Sequence, residues 1–520
     1  MSELNSNGQM LARHLTRLYH DEVSREERQS KAEKVNVVGA GGALTAAYEQ
    51  LRNAAENTEE HLLLQKAVRR FYRQLFVTRD ESLVAQSGNE LAVELTLAGY
   101  VQNDSLSRDQ VEQISTLAVK YYEAYVQLLG RRSLAITHVS KWTLDVLAVE
   151  VESIISDHGN EQVFIEFAYA ELSSMLKAKD VLGHDDDNFG AALYVAIHQA
   201  LLKSNAPVVR AALLRRYAVS IDNLDAYAAF NTQLDALIDS DTTDKLYHEV
   251  DRQGAPLRIL RRMMEEHEGL DTLLTNRAGF LDKYEKQIEL EYDRVAKRIN
   301  RAIVRSIIFL IITKFLIGLA VEVPYDYWAH GQIVWVPLIV NLLFPPIYMF
   351  ALKATHQLPG YANTQALVDR IDVMLYGDRT LKADIRTRRR STSAVFSSMY
   401  VIVSLAIMGA LMYGLLLLNF SLVHIAIFFI FLSAASFLGF RLSRLIRELE
   451  IVRSAQSGMT FIRDLLYLPF VVVGQWMSDK YSKVNIVTIV LDMLIELPLK
   501  TVLRLVRQWG AFIDERKDQI

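Results

Sequence analysis

The sequence predicts an all-α membrane protein, with a helical cytosolic domain followed by a four-helix transmembrane bundle and C-terminal amphipathic interfacial helices. Four apolar stretches reach the roughly 20 residues that a helix needs to cross the hydrocarbon core of a bilayer. Elsewhere, apolar residues recur at helical spacing, and no alternation of strand period is found. Charge is also divided. Residues 301–520 carry 23 Lys and Arg against 15 Asp and Glu, which leaves 34 against 46 in residues 1–300.

The distribution of basic residues predicts how the spans are oriented. The four predicted spans are Ile303–Val321, Ile333–Leu352, Val395–Leu418 and Ser421–Phe440. Lys and Arg are retained on the cytosolic side of a membrane. The connections Glu322–Gln332 and Asn419–Phe420 contain neither residue, whereas the other flanks are rich in both. We therefore expect a multi-pass protein with both termini cytosolic.

Two basic clusters flank the spans on the predicted cytosolic side. The clusters comprise Arg386, Arg388, Arg389, Arg390, Arg441, Arg444 and Arg447. Such juxtamembrane charge attracts anionic lipid headgroups, at roughly 1 kcal/mol per residue. Retention of topology alone explains the same residues equally well. Nucleic acid is not an expected partner, because the large cytosolic domain is acidic.

Seven segments follow from these patterns. They are a polar and partly disordered N-terminus (1–33), an acidic all-helical cytosolic domain (34–278), a stalk helix continuous with the first span (279–302), a transmembrane hairpin (303–352), a basic cytosolic loop (353–394), a second transmembrane hairpin (395–440) and cytosolic-side amphipathic or interfacial helices (441–520). Within the last segment, two stretches have two possible placements: each either lies at the membrane interface or crosses the membrane. They are Leu465–Trp476 and Val484–Trp509.

Local signals define several of the helices. Ser107 and Gln110 have the spacing of a capping box, in which the side chain of each residue accepts a hydrogen bond from the backbone N–H of the other. The stalk is predicted from an apolar stripe with steps of three and four residues, which no Gly or Pro interrupts before Gly318. Its members are Leu281, Tyr284, Ile288, Tyr292, Val295, Ile299 and Ile303. A stripe of this period stays almost straight, so the stalk should couple the cytosolic domain rigidly to the bilayer.

Small residues at four-residue intervals predict close packing between the third and fourth spans. They are Ala406, Ala410 and Gly414 in the third span, with Ala435 and Gly439 in the fourth. Small side chains allow helix backbones to approach each other in a membrane. The very short connection between these spans predicts that they form an antiparallel hairpin.

Polar residues in the first two spans are the candidate transport site. Lys314 lies near the middle of the first span, where an unpaired charge costs at least a few kcal/mol. Glu322 follows about two turns later, Asp326 lies just beyond it, and Asn341 occupies the middle of the second span. Together they suggest a polar path for a cation or a proton. The alternative is a lysine that pairs internally or reaches the interface, with both carboxylates in water outside the membrane.

Signals for enzymes, metals and cofactors are almost absent. The chain has no cysteine. Its histidines have no metal-ligand spacing, and no serine nucleophile elbow, P-loop or kinase motif is present. The glycine-rich run in Val35–Leu44 lacks the third glycine of a dinucleotide fingerprint, and the acidic Gly183–Gly190 lacks the spacing and the closing Glu of a calcium loop. No cofactor or metal is predicted.

Two stretches carry a resemblance. Leu51–Phe71 reads LRNAAENTEEHLLLQKAVRRF, and Phe461–Lys500 contains the segments LPF, SKVN and LDMLIELPLK. The chain resembles uncharacterised multi-span membrane proteins of candidate-phyla bacteria with reduced genomes. The resemblance implies a bacterial inner (plasma) membrane location and no activity, ligand or site residue.

Three functions are compatible with the sequence. The first is a non-enzymatic inner-membrane protein whose cytosolic helical domain acts as a scaffold or interaction platform, with a cytosolic protein or a second copy of the chain as partner. The alternative is an ion or small-solute channel or transporter that uses Lys314, Glu322 and Asp326. The third is a membrane enzyme with an unrecognised site.

Overall fold

The computed structural model describes residues 4–37, 46, 49, 62–131, 134–156, 158–354, 358–377, 394–452 and 458–483. Throughout these residues the regular structure is helical, and the single β-bridge joins Lys34 to Ser107. The all-α prediction is therefore confirmed. The described residues separate into two compact units, one drawn from residues 4–8 and 251–483 and the other from residues 9–250.

The unit of residues 9–250 contains a set of mostly short helices. They are α1 (Ser6–Lys31), α2 (Leu63–Thr78), α3 (Glu81–Ala85), α4 (Ser87–Leu97), α5 (Arg108–Leu129), α6 (Ile136–Ile155), α7 (Gly159–Met175), α8 (Ala178–Val181), α9 (Phe189–Ile197, continued by a π turn over His198–Leu202), α10 (Ala206–Arg216), α11 (Leu224–Ile238) and α12 (Asp241–Gln253), of which α1 begins and α12 ends just outside it. The capping box is confirmed, since Ser107 accepts from the backbone of Gln110 and the Gln110 side chain accepts from that of Ser107.

The central helix of this unit is α6, which is packed by α2, α5 and α10. Its residues are buried around most of its circumference, including Trp142, Leu147 and Val151. A helix that is apolar on all sides is stable only inside a core. The neighbours supply aromatic and aliphatic side chains to the same cluster, among them Tyr72 and Ile114.

A buried ionic network joins α6, α10 and α11. Arg210 is fully buried, and its guanidinium donates to Asn231 Oδ1 and Asp235 Oδ1 at 2.5 Å each. Asp235 also accepts from Trp142 Nε1 at 2.8 Å and from Lys141 Nζ at 3.1 Å. Burial opposes ionisation of Asp235, but the hydrogen bonds from Trp142 and Arg210 outweigh it and the pKa of Asp235 lies well below its usual range.

The other unit contains the long apolar helices. They are α13 (Ala255–Glu266), α14 (Leu270–Leu274), α15 (Arg277–Ile317, continued by a π turn over Gly318–Glu322), α16 (Val323–His330), α17 (Trp335–Ala354), α18 (Tyr361–Tyr376), α19 (Ala394–Leu417), α20 (Leu422–Arg447) and α21 (Gly458–Lys483). Four helical segments are long and apolar enough to cross a membrane: Arg277–His330, Trp335–Lys353, Ser398–Leu417 and Leu422–Arg447. They match the four predicted spans and indicate a membrane-embedded protein.

The stalk and the first span form one helix. Helix α15 runs without a break from Arg277 to Ile317, with Asn276 capping its N-terminus by accepting from the Gly279 N–H. The predicted stripe faces inward, because Tyr284, Ile288 and Ile303 are buried and the rest of its members are buried or half-buried. Helices α13 and α18 pack on the stalk portion. The rigid coupling of the cytosolic domain stays a prediction, and the compact units divide at residue 250, earlier than the expected boundary.

The small residues of the third span do not mediate helix packing. Ala406 and Ala410 are exposed, and a Cβ on Gly414 would meet nothing within 4 Å. That part of the packing prediction is wrong. Helix α19 instead presents larger side chains to α20 and α21, including the buried Leu415. Gly439 does allow close packing, but with the second span, because its Cβ position lies 2.7 Å from Leu352 Cδ1.

Helix α21 packs closely against the fourth span. A Cβ added to Gly474 would lie 2.3 Å from the carbonyl oxygen of Ser433, which is a residue at the middle of α20. Phe470 contacts Phe429 with ring centroids 5.9 Å apart. Pro469 is accommodated inside α21 rather than ending it. The apolar segment Leu465–Ser478 therefore packs along a candidate span and not only beyond its end.

Asn363 fixes the chain that follows the fourth span. Its amide nitrogen donates to the Leu449 carbonyl and the Tyr292 hydroxyl, each at 2.8 Å. Its amide oxygen accepts from the backbone of Ile451 at 2.8 Å and Val452 at 3.0 Å. All four hydrogen-bonding positions of this buried side chain are occupied, which ties α18 to α15 and to the chain just after α20.

Some predicted features fall outside the described residues. These are Arg386, Arg388, Arg389 and Arg390, the helix expected over Val484–Trp509, and most of Val35–Leu44 and Leu51–Phe71. The second basic cluster is described: Arg441, Arg444 and Arg447 are exposed near the C-terminal end of α20. Binding of anionic lipid there stays a prediction.

Candidate intramembrane polar site

The buried lysine of the first span forms an ion pair. Lys314 is 1% exposed and Glu322 is fully buried, and the Lys314 ammonium donates to Glu322 Oε1. The ammonium also lies over the ring of Phe431, 4.9 Å from its centroid. A charge in this position is tolerated only when it is paired or solvated, so each partner stabilises the ionised form of the other.

A π turn sets the register of this pair. In a regular helix eight residues advance by about 800°, which would leave Lys314 and Glu322 roughly 80° apart around the axis. The wider turn over Gly318–Glu322 reduces that advance toward two whole turns, so the two side chains meet. Pro324 lies two residues after the end of this turn, and its ring would clash with the carbonyl four residues earlier in a regular helix. The proline thus accounts for the widened turn.

Asn341 brings the second span to the pair. Its side chain is 1% exposed, and its amide nitrogen donates to Glu322 Oε1 at 3.2 Å and to the His424 carbonyl at 3.3 Å. Four residues later stands Pro345, which has no N–H to donate to the Asn341 carbonyl. Asn341 therefore connects the second span to the first and the fourth.

Asp326 and two histidines form the other half of the site. Asp326 is fully buried, and its Oδ2 accepts from the Val334 N–H at 2.9 Å. Its Oδ1 lies 3.4 Å from His424 Nε2 and 3.7 Å from His330 Nδ1. His424 is also fully buried, whereas 42% of the His330 side chain is exposed. Asp326 therefore lies between an accessible histidine, His330, and a buried one, His424.

The N-terminus of α20 orients His424. Ser421 caps the helix by accepting from the His424 N–H, and its hydroxyl lies 2.9 Å from His424 Nδ1. With Nδ1 engaged there, Nε2 is directed toward Asp326. Tyr325 packs edge-on against the imidazole, with ring centroids 6.0 Å apart.

Unsatisfied polar atoms are concentrated in this site. Four buried atoms of this site have no hydrogen-bond partner: Glu322 Oε2, Asp326 Oδ1, Asn341 Oδ1 and His424 Nε2. Buried polar atoms are normally hydrogen-bonded, and an exception needs a specific reason such as a function in proton or ion binding. A buried atom that has no hydrogen-bond partner can form a new hydrogen bond without first losing an existing one.

An apolar layer closes the site on the side of Lys314. Leu310, Met349 and Phe431 are buried there together with Leu352, Ile427 and Ala435. Beyond Phe431 along α20, the hydroxyls of Tyr348 and Ser436 lie 3.0 Å apart. The site therefore connects to an accessible group on the His330 side and meets apolar side chains on the other.

The structure brings together all four residues that the sequence singled out. It also adds His424 and His330, which sequence reasoning missed. The available signal for His424 was an ionisable residue inside an apolar run, three positions after a capping serine. Among the described residues, no group of three or more His, Cys, Asp or Glu side chains is arranged to hold a metal ion.

No family model, curated protein or solved structure matches the chain.

Proposed function

We propose that this membrane protein moves protons across the bilayer through the intramembrane polar site. The observation that carries the proposal is the facing pair of Asp326 and His424, both fully buried, with Oδ1 and Nε2 3.4 Å apart and neither hydrogen-bonded. Ionisable side chains inside membrane helices commonly form proton relays. A carboxylate next to an imidazole can pass a proton after a small rotation of either side chain.

The groups follow one another from the surface inward. His330 is half-exposed and lies 3.7 Å from Asp326, which lies 3.4 Å from His424. The His424 carbonyl and Glu322 both accept from Asn341, and Glu322 pairs with Lys314. A proton that enters at His330 can reach the Asp326–His424 pair, and the Lys314–Glu322 pair is the next ionisable group.

The apolar layer beside Lys314 closes the proposed proton path at its inner end. Leu310, Met349 and Phe431 supply no hydrogen-bonding side chain, so a proton cannot continue through them. Transport therefore requires this layer to open toward Tyr348 and Ser436. Proton movement of this kind is gated rather than a continuous leak.

The orientation follows from the basic residues. We place the His330 end on the outer face and the exposed Arg441, Arg444 and Arg447 on the cytosolic face of a bacterial inner membrane, with anionic lipid near them. In this orientation the relay accepts protons from the outside. The scaffold hypothesis, with a cytosolic partner or a homo-oligomer, stays a prediction, because no observation on the described residues favours it.

Proton flux into liposomes tests the proposal. Purified full-length protein is reconstituted with an internal pH-sensitive dye, and a potassium gradient with valinomycin drives proton entry. Wild type should acidify the lumen faster than empty liposomes. Asp326→Asn and His424→Gln should each reduce the rate at least tenfold, because each removes a proton-accepting atom while keeping the approximate shape of the side chain.

Two exposed residues provide matched controls. Asp293→Asn and His184→Gln make the same chemical changes away from the site, and both should leave flux unchanged. Flux at the wild-type rate in both Asp326→Asn and His424→Gln would reject the proposed relay. Flux no faster than in empty liposomes, from correctly folded wild-type protein, would reject proton transport itself.

A further inference from the structure

A cavity of about 340 Å³ lies within the unit of residues 9–250. Its walls come from α6, α7, α10 and the π turn after α9, and its apolar surface includes Val149, Ile165 and Leu202. The volume is in the range of small-molecule sites, which run from about 300 to 1,000 Å³. A few polar side chains reach the same space, and these define the chemistry of a ligand.

The π turn over His198–Leu202 places a buried imidazole in the cavity wall. His198 is 5% exposed, its Nδ1 lies 3.3 Å from Ser204 Oγ, and its Nε2 has no hydrogen-bond partner. Burial, with a smaller effect of Arg215, lowers the pKa of His198 to about 4. The imidazole is therefore neutral at physiological pH, and one ring nitrogen is available to a ligand.

Glu152 supplies a buried carboxyl to the same cavity. It is 5% exposed, and the nearest basic atom, His158 Nε2, lies 4.0 Å from its Oε1, too far for a hydrogen bond. Burial and, to a lesser degree, the charge of Glu161 raise the pKa of Glu152 to about 8. A positive charge next to Glu152 would relieve both effects.

The arginines of the cavity are less suited to bind an anion than Glu152 is to bind a cation. Arg216 is paired with Glu166 at 3.2 Å and lies over the rings of Tyr169 and Tyr194, at 4.3 Å and 4.7 Å. Its charge is therefore already compensated. Arg215 is exposed, whereas Glu152 is the buried ionisable carboxyl of the wall.

We propose that this cavity binds a small organic cation, a primary amine with an apolar body. The ammonium group pairs with Glu152 and donates a hydrogen bond to the free nitrogen of His198. The apolar body lies against Val149, Ile165 and Leu202. This site is separate from the intramembrane relay, and the proposal does not depend on proton transport.

Three probes of similar shape and different charge test the proposal. Full-length protein in detergent is titrated by calorimetry at pH 7 with phenethylamine, 2-phenylethanol and 3-phenylpropanoate. Phenethylamine should bind at least tenfold more tightly than the other two. Binding should also release up to one proton, measured from the dependence of the heat on buffer ionisation, because the ammonium ionises Glu152.

Variants assign the binding to this cavity. Glu152→Gln should weaken phenethylamine at least tenfold and abolish proton release, and the exposed Glu90→Gln should change neither. Ala212→Phe, which fills the cavity, should block binding of all three probes. Because this variant keeps Glu152, it tests the cavity independently of any folding defect in Glu152→Gln. Tighter binding of 3-phenylpropanoate, undiminished amine binding in Glu152→Gln, or no binding of any probe at millimolar concentration would overturn the proposal.

Discussion

His424 Nε2 lies 3.4 Å from Asp326 Oδ1, and neither atom has a hydrogen-bond partner. The two residues come from different spans, since Asp326 follows the π turn at the end of the first and His424 begins the fourth. A pair that is close but not hydrogen-bonded can close and reopen with small side-chain rotations. This geometry is the basis of the proposed proton relay, because an ion pair that only holds helices together would be hydrogen-bonded.

The Lys314–Glu322 pair gives the first prediction. Lys314→Met alone leaves a buried carboxylate without its counter-charge and should lower the unfolding free energy by about 3–5 kcal/mol. The double variant Lys314→Met with Glu322→Gln should recover most of this loss, because no buried charge remains. Thermal unfolding in detergent measures both. A double variant as unstable as the single one would show that the pair is not the source of the effect.

Asn363 gives the second prediction. Asn363→Ala removes hydrogen bonds to Tyr292, Leu449, Ile451 and Val452, and leaves buried backbone groups unsatisfied. We expect a loss of about 2–4 kcal/mol in unfolding free energy. Gln365→Ala, two residues away on the exposed side of α18, serves as the control and should change stability by less than about 0.5 kcal/mol. Equal effects of the two substitutions would contradict the assigned role.

Asp235 gives a prediction with a defined pH dependence. Because its pKa is lowered in the folded state, its contribution to stability is complete above the unfolded pKa of about 4 and is lost as pH falls further. Asp235→Asn should therefore destabilise the unit by about 2–3 kcal/mol at pH 7, and the difference should shrink below pH 4.

Hydrogen exchange of amides in α10 and α11, corrected for intrinsic rates at each pH, provides the measurement for Asp235. It reports on this unit within the full-length chain. A difference between wild type and Asp235→Asn that stays constant from pH 7 to pH 3 would rule out the ionic contribution.

Glu152 should show the opposite pH dependence. Its pKa is raised to about 8, so the unfolded chain ionises first as pH rises and stability falls between about pH 4.5 and 8. Glu152→Gln removes this loss. The variant should match wild type near pH 4 and exceed it by about 1–3 kcal/mol at pH 8. Hydrogen exchange in α6 tests this, and a wild type that is as stable as the variant at pH 8 would contradict the buried carboxyl.

The sequence predicted the helices better than their contacts. Three patterns were sufficient to predict helices: hydropathy, the capping box at Ser107 and the apolar stripe through Ile288. Each is a local pattern with one structural solution. Gly414 illustrates the limit. Its four-residue spacing marked a face that allows close packing, but spacing does not say which neighbour, if any, occupies that face.

The candidate site divides in the same way. Lys314, Glu322, Asp326 and Asn341 were predictable because polar groups inside apolar runs are rare. The meeting of the Lys314 and Glu322 side chains was not predictable, because it depends on the π turn before Pro324. His424 was missed because it lies near the end of its span, and only the fold places it beside Asp326.

Proton flux through a folded protein without the Lys314–Glu322 pair is the decisive measurement for the proposed proton path. The double variant Lys314→Met with Glu322→Gln is reconstituted alongside wild type once thermal unfolding has shown that it is folded. We expect wild type to carry protons under an imposed potential and the double variant to be at least tenfold slower. Equal flux through both would contradict the claim that this polar site is the path.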